Sequence, residues 1–193
     1  SSPRPSARPW ILAGALFVAL VAASIGLWRS TRAADAPVLR LSSTMPGDLT
    51  FDLTLRPMIA VSRDGATLAI TAIKKGSAQT QLFVRRLKDF DAQLLAGTDG
   101  ARMVFWSNDG RFIGFWASGK LKKIPVEGGT PLPICDLPEP WSADWNKDGV
   151  IVAAAGLGPT WIIEANSGAM TRWKPVHFPK VLPDGKRLLY VTP

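Results

Sequence analysis

The sequence predicts an all-β fold, a partial β-propeller of about three and a half four-stranded blades, preceded by one transmembrane α-helix. Two observations support this prediction: a turn phrase ending in Asp-Gly recurs four times, and a long uncharged apolar stretch lies near the first residue. The aspartates of the phrase are 45, 39 and 36 residues apart, at Asp64, Asp109, Asp148 and Asp184. A period of this length indicates a repeat architecture in which each repeat is one supersecondary unit.

Residues 10–28 predict the transmembrane helix, because nineteen uncharged residues are close to the roughly 20 that a helix needs to cross a bilayer. Trp10 and Trp28 stand at the two ends, where amphipathic rings favour the headgroup region, and arginines flank them on both sides. The alternative is a cleaved signal peptide, which would use the small residues at 33–36. Two arginines precede those small residues, so we favour the anchor.

Composition divides the rest of the chain into three parts. Residues 1–9 are rich in Pro, Ser and Arg, which predicts a disordered linker. A juxtamembrane junction is predicted over residues 29–50, and the incomplete propeller is predicted over residues 51–193. The chain begins without an initiator Met and its last residues read as a strand. We therefore expect a piece of a longer protein.

Each repeat from residue 57 onward is predicted to form four short strands joined by tight turns, because Gly and Asp-Gly supply the positive φ of hairpin turns. The predicted strands are 57–61, 67–73, 81–87 and 91–95, then 103–106, 111–117, 121–126 and 131–135, then 141–145, 150–155, 160–164 and 169–173. The fourth repeat, from Phe178, has two strands. A β-sandwich is the weaker alternative, since it does not require an internal repeat. An incomplete propeller leaves open edges, so we expect further blades beyond Pro193 or from another chain.

The turn phrases resemble the Ser-Pro-Asp-Gly turn of TolB-type WD40-like (PD40) β-propeller repeats. The partial matches are Ser62-Arg63-Asp64-Gly65, Ser107-Asn108-Asp109-Gly110 and Pro183-Asp184-Gly185. The run 95–135, with its segments 95–101, 105–115 and 119–129, is similar to propeller units in the extracytoplasmic C-terminal part of bacterial receptor-type serine/threonine protein kinases. In those kinases a catalytic domain is followed by a Pro/Ser-rich linker, one membrane span and the propeller.

This resemblance implies a single-pass protein of the bacterial inner membrane whose extracytoplasmic propeller is a ligand- or protein-binding sensor. The kinase itself would lie outside this chain, which has no Gly-rich phosphate loop, His-Arg-Asp loop or Asp-Phe-Gly site. We therefore expect the chain itself not to be an enzyme. TolB-type blades also occur in exported prolyl-oligopeptidase-like serine peptidases and in periplasmic TolB-like scaffolds, which are the two alternatives.

Residues 144–151 are a candidate calcium loop, with oxygen ligands at positions 1, 3 and 5 and Gly at position 6. Position 12 is Ala155 and position 9 is Val152, so the closing carboxylate is missing. A plain hairpin turn is the better interpretation. His177, the chain's one histidine, has no Gly-x-Ser-x-Gly elbow to serve and is predicted to be a loop residue.

Six tryptophans follow residue 100 and raise the alternatives of a binding platform and a core. Trp106 and Trp145 share a repeat position with Val61 and Val181, which predicts that they fill the core between blades. Trp141, Trp161 and Trp173 are less constrained, and Trp116 is the sixth of these tryptophans.

We predict no catalytic, cofactor-binding or metal residues, no cofactor, and an unknown ligand-binding set. The net charge of +8 comes from scattered basic residues, which argues against a nucleic-acid partner. Cys135, the one cysteine, predicts a small buried side chain. The expected partners are the membrane, through residues 10–28, an unidentified protein or small ligand, and a second copy in a homodimer.

Overall fold

A computed structural model describes residues 16–24, 47–51, 59–156, 158–182 and 184–192. The chain divides into two units, Ser1–Ser43 and Thr44–Pro193. In the first unit, helix α1 covers residues 16–24, and the Ser24 hydroxyl donates to the Leu20 carbonyl at 2.8 Å. The rest of the predicted span 10–28 lies outside the described residues, as do the linker 1–9 and most of the junction 29–50. Within the described ranges, no helix has the length and apolarity needed to cross a bilayer.

The described residues of the second unit are all β, as predicted, with four separate antiparallel sheets that follow one another along the chain. We call these sheets blades 1 to 4. Blade 1 contains β1 (Leu49–Thr50), β2 (Ile59–Val61), β3 (Thr67–Lys74), β4 (Thr80–Arg86) and β5 (Gln93–Leu94). Both β1 and β2 pair with the same edge of β3, opposite its two halves. The innermost strand of blade 1 is therefore formed by two segments. The first of them, β1, was not predicted and lies within the predicted junction, because a two-residue strand is too short to show a periodic pattern.

Blades 2 and 3 each contain four strands in sequential order, and blade 4 contains two, as the repeat predicted. Blade 2 is β6 (Arg102–Trp106), β7 (Phe112–Ala117), β8 (Lys120–Pro125) and β9 (Leu132–Asp136). Blade 3 is β10 (Ser142–Trp145), β11 (Val150–Ala154), β12 (Thr160–Glu164) and β13 (Met170–Trp173), and blade 4 is β14 (His177–Val181) and β15 (Leu188–Val191). The observed ends lie within two residues of the predicted ones, and β12 matches the predicted strand 160–164 at both ends.

The repeated phrase forms the turn between the first and second strands of each blade. In blade 2 the Ser107 hydroxyl donates to Asp109 Oδ1 at 2.6 Å and accepts the N–H of Phe112 at 2.9 Å. Asp109 Oδ1 also accepts the N–H of Arg111 at 3.1 Å. Blade 1 repeats these bonds at Ser62 and Asp64. The side chains thus close the hairpin and fix the register of the two strands.

The third and fourth turns reach the same geometry with other residues. In blade 3 the turn is one residue shorter, and Asn146 Oδ1 accepts the N–H groups of Asp148 and Val150 at 2.9 and 2.8 Å. In blade 4, Asp184 Oδ1 accepts two backbone N–H groups and Oδ2 accepts Arg187 Nε at 2.6 Å. Gly185 has a φ of 71°, which explains the glycine after the aspartate. Asp148 differs because its carboxylate contacts Lys147 instead.

Two apolar cores separate blades 1, 2 and 3. The core between blades 1 and 2 holds Trp106, whose ring is 7% exposed and whose Nε1 donates to the Ala60 carbonyl at 3.0 Å. The core between blades 2 and 3 holds Trp145, which is 6% exposed and packs against the rings of Phe105 and Phe112. Lys123 crosses the same interface and donates from Nζ to the Ala165 carbonyl at 2.9 Å.

Each blade also holds the entry of the next one. The Thr80 hydroxyl donates to the Ala101 carbonyl at 2.9 Å, and Trp116 Nε1 donates to the Leu137 carbonyl at 2.9 Å. In the third case the N–H of Val176 donates to the Thr160 hydroxyl at 3.1 Å. The three entry residues are buried, at 0%, 2% and 0% exposure for Ala101, Leu137 and Val176. Blades are thus joined by paired polar groups as well as by apolar packing.

Acid should weaken these turns. Hydrogen bonds from Ser107 and from the backbone of Arg111 lower the pKa of Asp109, and backbone bonds from Lys186 together with bonds from Arg187 lower the pKa of Asp184 to about 2. A carboxylate with a lowered pKa in the folded state stabilises the fold above its unfolded pKa of 3.8, and that contribution is lost as pH falls through the folded value.

We therefore expect Asp109→Asn to lower the free energy of unfolding at pH 7 by less than about 1 kcal/mol, since the carboxylate is half exposed. The difference in free energy of unfolding between the variant and the wild type should shrink as the pH falls from 5 to the lowest pH at which the protein stays folded. Urea titrations followed by tryptophan fluorescence measure this difference. Asp148→Asn is the control, because within the described residues its carboxylate bonds to Lys147 and to no backbone N–H, and it should change stability little at any pH. A constant deficit for Asp109→Asn would contradict the assignment.

Replacing Trp106 by Phe should cost more than replacing Trp145 by Phe. Both rings are buried, but of these two side chains only that of Trp106 donates from Nε1 to a backbone carbonyl within the described residues, that of Ala60. The unpaired carbonyl should lower the free energy of unfolding by about 1 kcal/mol beyond the loss of ring volume. Urea titrations of the two variants measure the difference, and equal losses would show that this bond contributes nothing net.

Candidate functional site: a groove along the innermost strands

The innermost strands of all four blades line one groove of about 600 Å³. We call it the central groove. Its lining includes large apolar side chains that remain accessible: Ile59, Val61, Trp141 and Phe178 are 52%, 55%, 42% and 54% exposed. In the same groove Phe105 and Trp106 are buried at 3% and 7% exposure. The central groove thus exposes apolar surface on blades 1, 3 and 4 around a packed floor from blade 2.

Trp141 is held in place at the groove by its backbone and by Gly156. Its N–H donates to the Ala154 carbonyl at 2.7 Å. The ring lies flat enough on Gly156 that a Cβ there would stand 2.6 Å from ring atom Cε2. Because a side chain at position 156 would displace the ring, this glycine permits the close approach. The indole is therefore fixed while 42% of the residue remains exposed.

Phe178 is directed into the groove by a β-bulge in β14. The register of β14 and β15 shifts between His177 and Lys180, and Phe178 has a φ of 50°. Met103 occupies the same repeat position in blade 2, also at a bulge, with a φ of 47°. A left-handed φ is strained for a side chain other than Gly, Asn or Asp and persists only where the surrounding structure imposes it. The bulges reorient the side chains at the start of two innermost strands.

Three charged residues complete the groove. Asp144 Oδ2 accepts the N–H of Val181 at 2.7 Å, and Oδ1 lies 3.8 Å from Lys180 Nζ. Asp144 therefore joins blade 3 to blade 4. Arg63 also lines the groove and forms no ion pair with any residue that the structure describes. With two cations and one carboxylate, the groove favours a ligand that carries negative charge.

The candidate calcium loop is not assembled. Its three oxygen-bearing residues serve different partners: Asp144 bonds to blade 4, Asn146 closes its own hairpin, and Asp148 contacts Lys147. Among the described residues, no three His, Cys, Asp or Glu side chains are placed to share a metal ion. The hairpin-turn interpretation of this segment is the one that the hydrogen bonds support.

His177 and Cys135 lie in different blades, His177 in blade 4 and Cys135 in blade 2. His177 is the first residue of β14 and pairs with Val191. Its prediction as a loop residue was therefore wrong. The bulge at Phe178 allows the pairing of β14 with β15 to begin at His177. Cys135 lies in β9, half buried against the core between blades 2 and 3. Burial, and then the charge of Asp136, raise the pKa of its thiol.

The tryptophans divide between core and groove. Trp106 and Trp145 fill the cores, as predicted, whereas Val61, at the same repeat position, is 55% exposed. Of the remaining four, Trp141 alone lines the central groove. Trp116 bonds to Leu137, Trp173 packs edge-on against Tyr190 at 5.9 Å, and Trp161 has a buried Nε1 without a hydrogen-bond partner in the described structure.

A second groove, of about 950 Å³, lies between blades 1 and 2 on the side of the Asp-Gly turns. Its charged residues have both signs and several are engaged within the protein. Asp64 and Asp109 close their own turns, and Arg86 lies 3.9 Å from Glu127. The central groove, with its fixed exposed rings, is the better candidate for binding.

No protein-family model and no curated protein sequence matches this chain. Solved structures match it at low identity. A putative TolB from Agrobacterium tumefaciens is 15% identical, with a TM-score of 0.59 over 67% of this chain and 51% of that one. TolB from Acinetobacter baumannii is 16% identical, with a TM-score of 0.55 over 69% of this chain and 37% of that one.

A gluconolactonase from Xanthomonas campestris, XC5397, is 15% identical, with a TM-score of 0.56 over 69% of this chain and 53% of that one. The chain thus spans about half the length of these structures or less. At such identities the likeness shows the fold alone. The strands from Leu49 onward therefore have a β-propeller fold similar to that of these structures, and a propeller is what the turn phrases predicted.

Proposed function

We propose that this protein is a ligand- or protein-binding sensor module whose binding surface is the central groove. The observation that carries the proposal is the rigid presentation of Trp141 and Phe178, one ring held on Gly156 and the other projected by a bulge. Large apolar side chains at a concave surface, with a few charged groups among them, are typical of ligand sites. Rings with restricted motion bind at a small entropic cost.

The composition of the groove favours binding over catalysis. Among its described lining residues, Ser142 carries the only hydroxyl group, and none is a histidine or a cysteine. The groove's one carboxylate, that of Asp144, is committed to the N–H of Val181. A hydrolytic site needs a nucleophile with an adjacent base, and this groove offers no such pair.

The proposal includes a membrane tether formed by residues 10–28, with the propeller on the extracytoplasmic side of a bacterial inner membrane. The apolar stretch with Trp at both ends supports the tether, and the order of linker, span and propeller supports a receptor-like serine/threonine protein kinase. A single helix transmits a binding event through dimerisation or clustering, because it has few other states to exchange.

The peptidase and TolB-like scaffold alternatives differ from this proposal in what accompanies the propeller. Kinase motifs encoded in frame before Ser1 support the receptor, whereas a Gly-x-Ser-x-Gly elbow encoded after Pro193 supports the peptidase. A periplasmic scaffold requires that residues 10–28 be removed on export. The genomic reading frame and the N-terminal sequence of the exported protein decide among the three.

The groove is tested by a thermal-shift screen of peptides, sugars and small organic anions. A ligand present at 100 times its Kd stabilises the protein that binds it by about 2.7 kcal/mol. Ligands that bind the central groove and raise the melting temperature of the wild type should therefore fail to raise that of Trp141→Ala. Phe90→Ala is the control, since Phe90 is 88% exposed on blade 1 and does not line the central groove. Hits that stabilise both variants equally would place binding elsewhere.

The tether is tested by expressing the chain in a Gram-negative bacterium and extracting the membranes with alkaline carbonate. The wild type should stay with the membranes, and a variant lacking residues 10–28 should be released, because about 20 apolar residues anchor a helix firmly. A periplasmic-active phosphatase fused after Pro193 should be active if the propeller is extracytoplasmic. Release of the wild type by carbonate would contradict the tether.

A further inference from the structure

The chain contains five Asp-Gly pairs, and the structure places all of them in turns. Four belong to the repeated phrase and precede the second strand of each blade, and the fifth, Asp99-Gly100, precedes blade 2. An Asp-Gly pair is chemically labile because glycine has no side chain to keep the aspartyl carboxyl group away from its nitrogen. The same pair occurs five times in one chain, so differences in reactivity among the five depend on the folded structure.

The reaction of such a pair needs a free carboxyl group and a free nitrogen. The glycine nitrogen forms a bond to Cγ of the protonated carboxyl group, and the displaced hydroxyl leaves as water with the proton of that nitrogen. The product is a cyclic imide. Water then opens the imide at one of its two carbonyls, which either restores aspartate or leaves isoaspartate, whose main chain runs through Cγ. The reaction requires no oxidant or other reactant.

Three of the five carboxyl groups are held by backbone hydrogen bonds. Asp64 and Asp109 each accept the N–H two residues on, at 2.9 and 3.1 Å, and Asp184 accepts two N–H groups. These bonds must break before Cγ can turn onto the glycine nitrogen. Serine hydroxyls and these N–H groups lower the pKa of Asp64 and Asp109, and the N–H of Lys186 and bonds from Arg187 lower that of Asp184. Less of the reactive protonated form is therefore present.

Asp148 lacks this restraint. Within the described residues its carboxylate bonds to Lys147 Nζ at 2.6 Å and to no backbone N–H, and its side chain is 56% exposed. The turn of blade 3 is one residue shorter than those of blades 1 and 2, and Asn146 Oδ1 accepts the N–H groups that close the hairpin. The aspartate of this turn is therefore left without a structural role.

The nitrogen of Gly149 is also the least restrained of the five glycine nitrogens. Its N–H donates to the Asn146 carbonyl at 3.4 Å, whereas the other four donate to carbonyls at 2.8 to 3.0 Å. A longer hydrogen bond is weaker and costs less to break. Asp99 is the nearest competitor, because its carboxylate is held only by an exposed bond from Gln81 Nε2 in the described structure. However, the N–H of Gly100 is held by the Thr80 carbonyl at 2.8 Å.

We propose that Asp148-Gly149 is the site at which the folded protein forms isoaspartate. The modification adds one atom to the main chain of the turn that joins β10 and β11. Asn146 Oδ1, which accepts the N–H groups of Asp148 and Val150, then loses the spacing that these two bonds need. We therefore expect the modification to loosen the start of β11. This site does not line the central groove.

The test is to incubate the full chain at neutral pH in water enriched in heavy oxygen, digest it and analyse the peptides by mass spectrometry. Each passage through the imide incorporates one heavy oxygen atom, and chromatography separates isoaspartyl from aspartyl peptides. In the folded protein Asp148 should convert faster than each of the other four aspartates. The ratio to Asp64, Asp109 and Asp184 should be about tenfold or more, a factor that one or two hydrogen bonds of ordinary strength account for.

The same chain unfolded in guanidinium chloride is the control, since it has lost these hydrogen bonds and the five rates should become similar. Conversion of Asp148 no faster than Asp99 or Asp109 in the folded chain would overturn the proposal. An advantage of Asp148 that is equally large in the unfolded chain would also overturn it, because neighbouring residues would then set the rate.

Asp148→Glu is the matched variant. It keeps a negative charge beside Lys147, but its longer side chain closes a larger ring and does so more slowly. The variant should remove the isoaspartyl product at this turn and leave the rate at Asp99 unchanged. After incubation, the Val150 N–H should lose protection from hydrogen exchange in the wild type and keep it in Asp148→Glu. Equal protection in both would contradict the expected loosening of β11.

Discussion

Packing between apolar sheet faces is the interaction on which the rest of this structure depends. A two-stranded or four-stranded sheet of this size is not stable alone, because one face or both would remain in water. Here β7 presents Ile113 and Phe115 to blade 1 and Trp116 to blade 3, so blade 2 is buried on both sides. The central groove and the joints between blades both follow from this stacking.

Stacking of this kind needs an accurate register, since a slip of one residue would turn every apolar side chain to the other face. The Asp-Gly turns supply it. A serine or asparagine oxygen accepts an N–H at the start of the second strand, so the pairing of the hairpin is fixed at its tip. The turn of blade 3 is one residue shorter than the turns of blades 1 and 2. Its strands nevertheless pair in the same register, with Asn146 in place of the serine. Asp64, Asp109 and Asp184 are thus structural, and the central groove lies on the strands that these turns align.

The local parts of this fold could be predicted from the sequence. The Gly and Asp residues predicted the hairpin turns, and alignment of the repeats placed Trp106 and Trp145 in the core. The distant parts could not. The exposure of Trp141 depends on Gly156, and the role of Asp144 depends on the backbone of Val181, 37 residues later. Neither the turn phrase nor the alternation of apolar residues in the repeats indicates either relation, and the membrane span at 10–28 stays a prediction.

The bonds at Ala101, Leu137 and Val176 bear on the order in which the blades form. Each of these residues stands just before a new blade and is held by a strand of the blade made earlier, about 20 residues back in the chain for two of the three. Contacts so close in sequence cost little chain entropy to close, which favours rapid formation. We therefore expect each new hairpin to pack during synthesis on the blade that precedes it in the chain, so that the blades form in order from the N-terminal side.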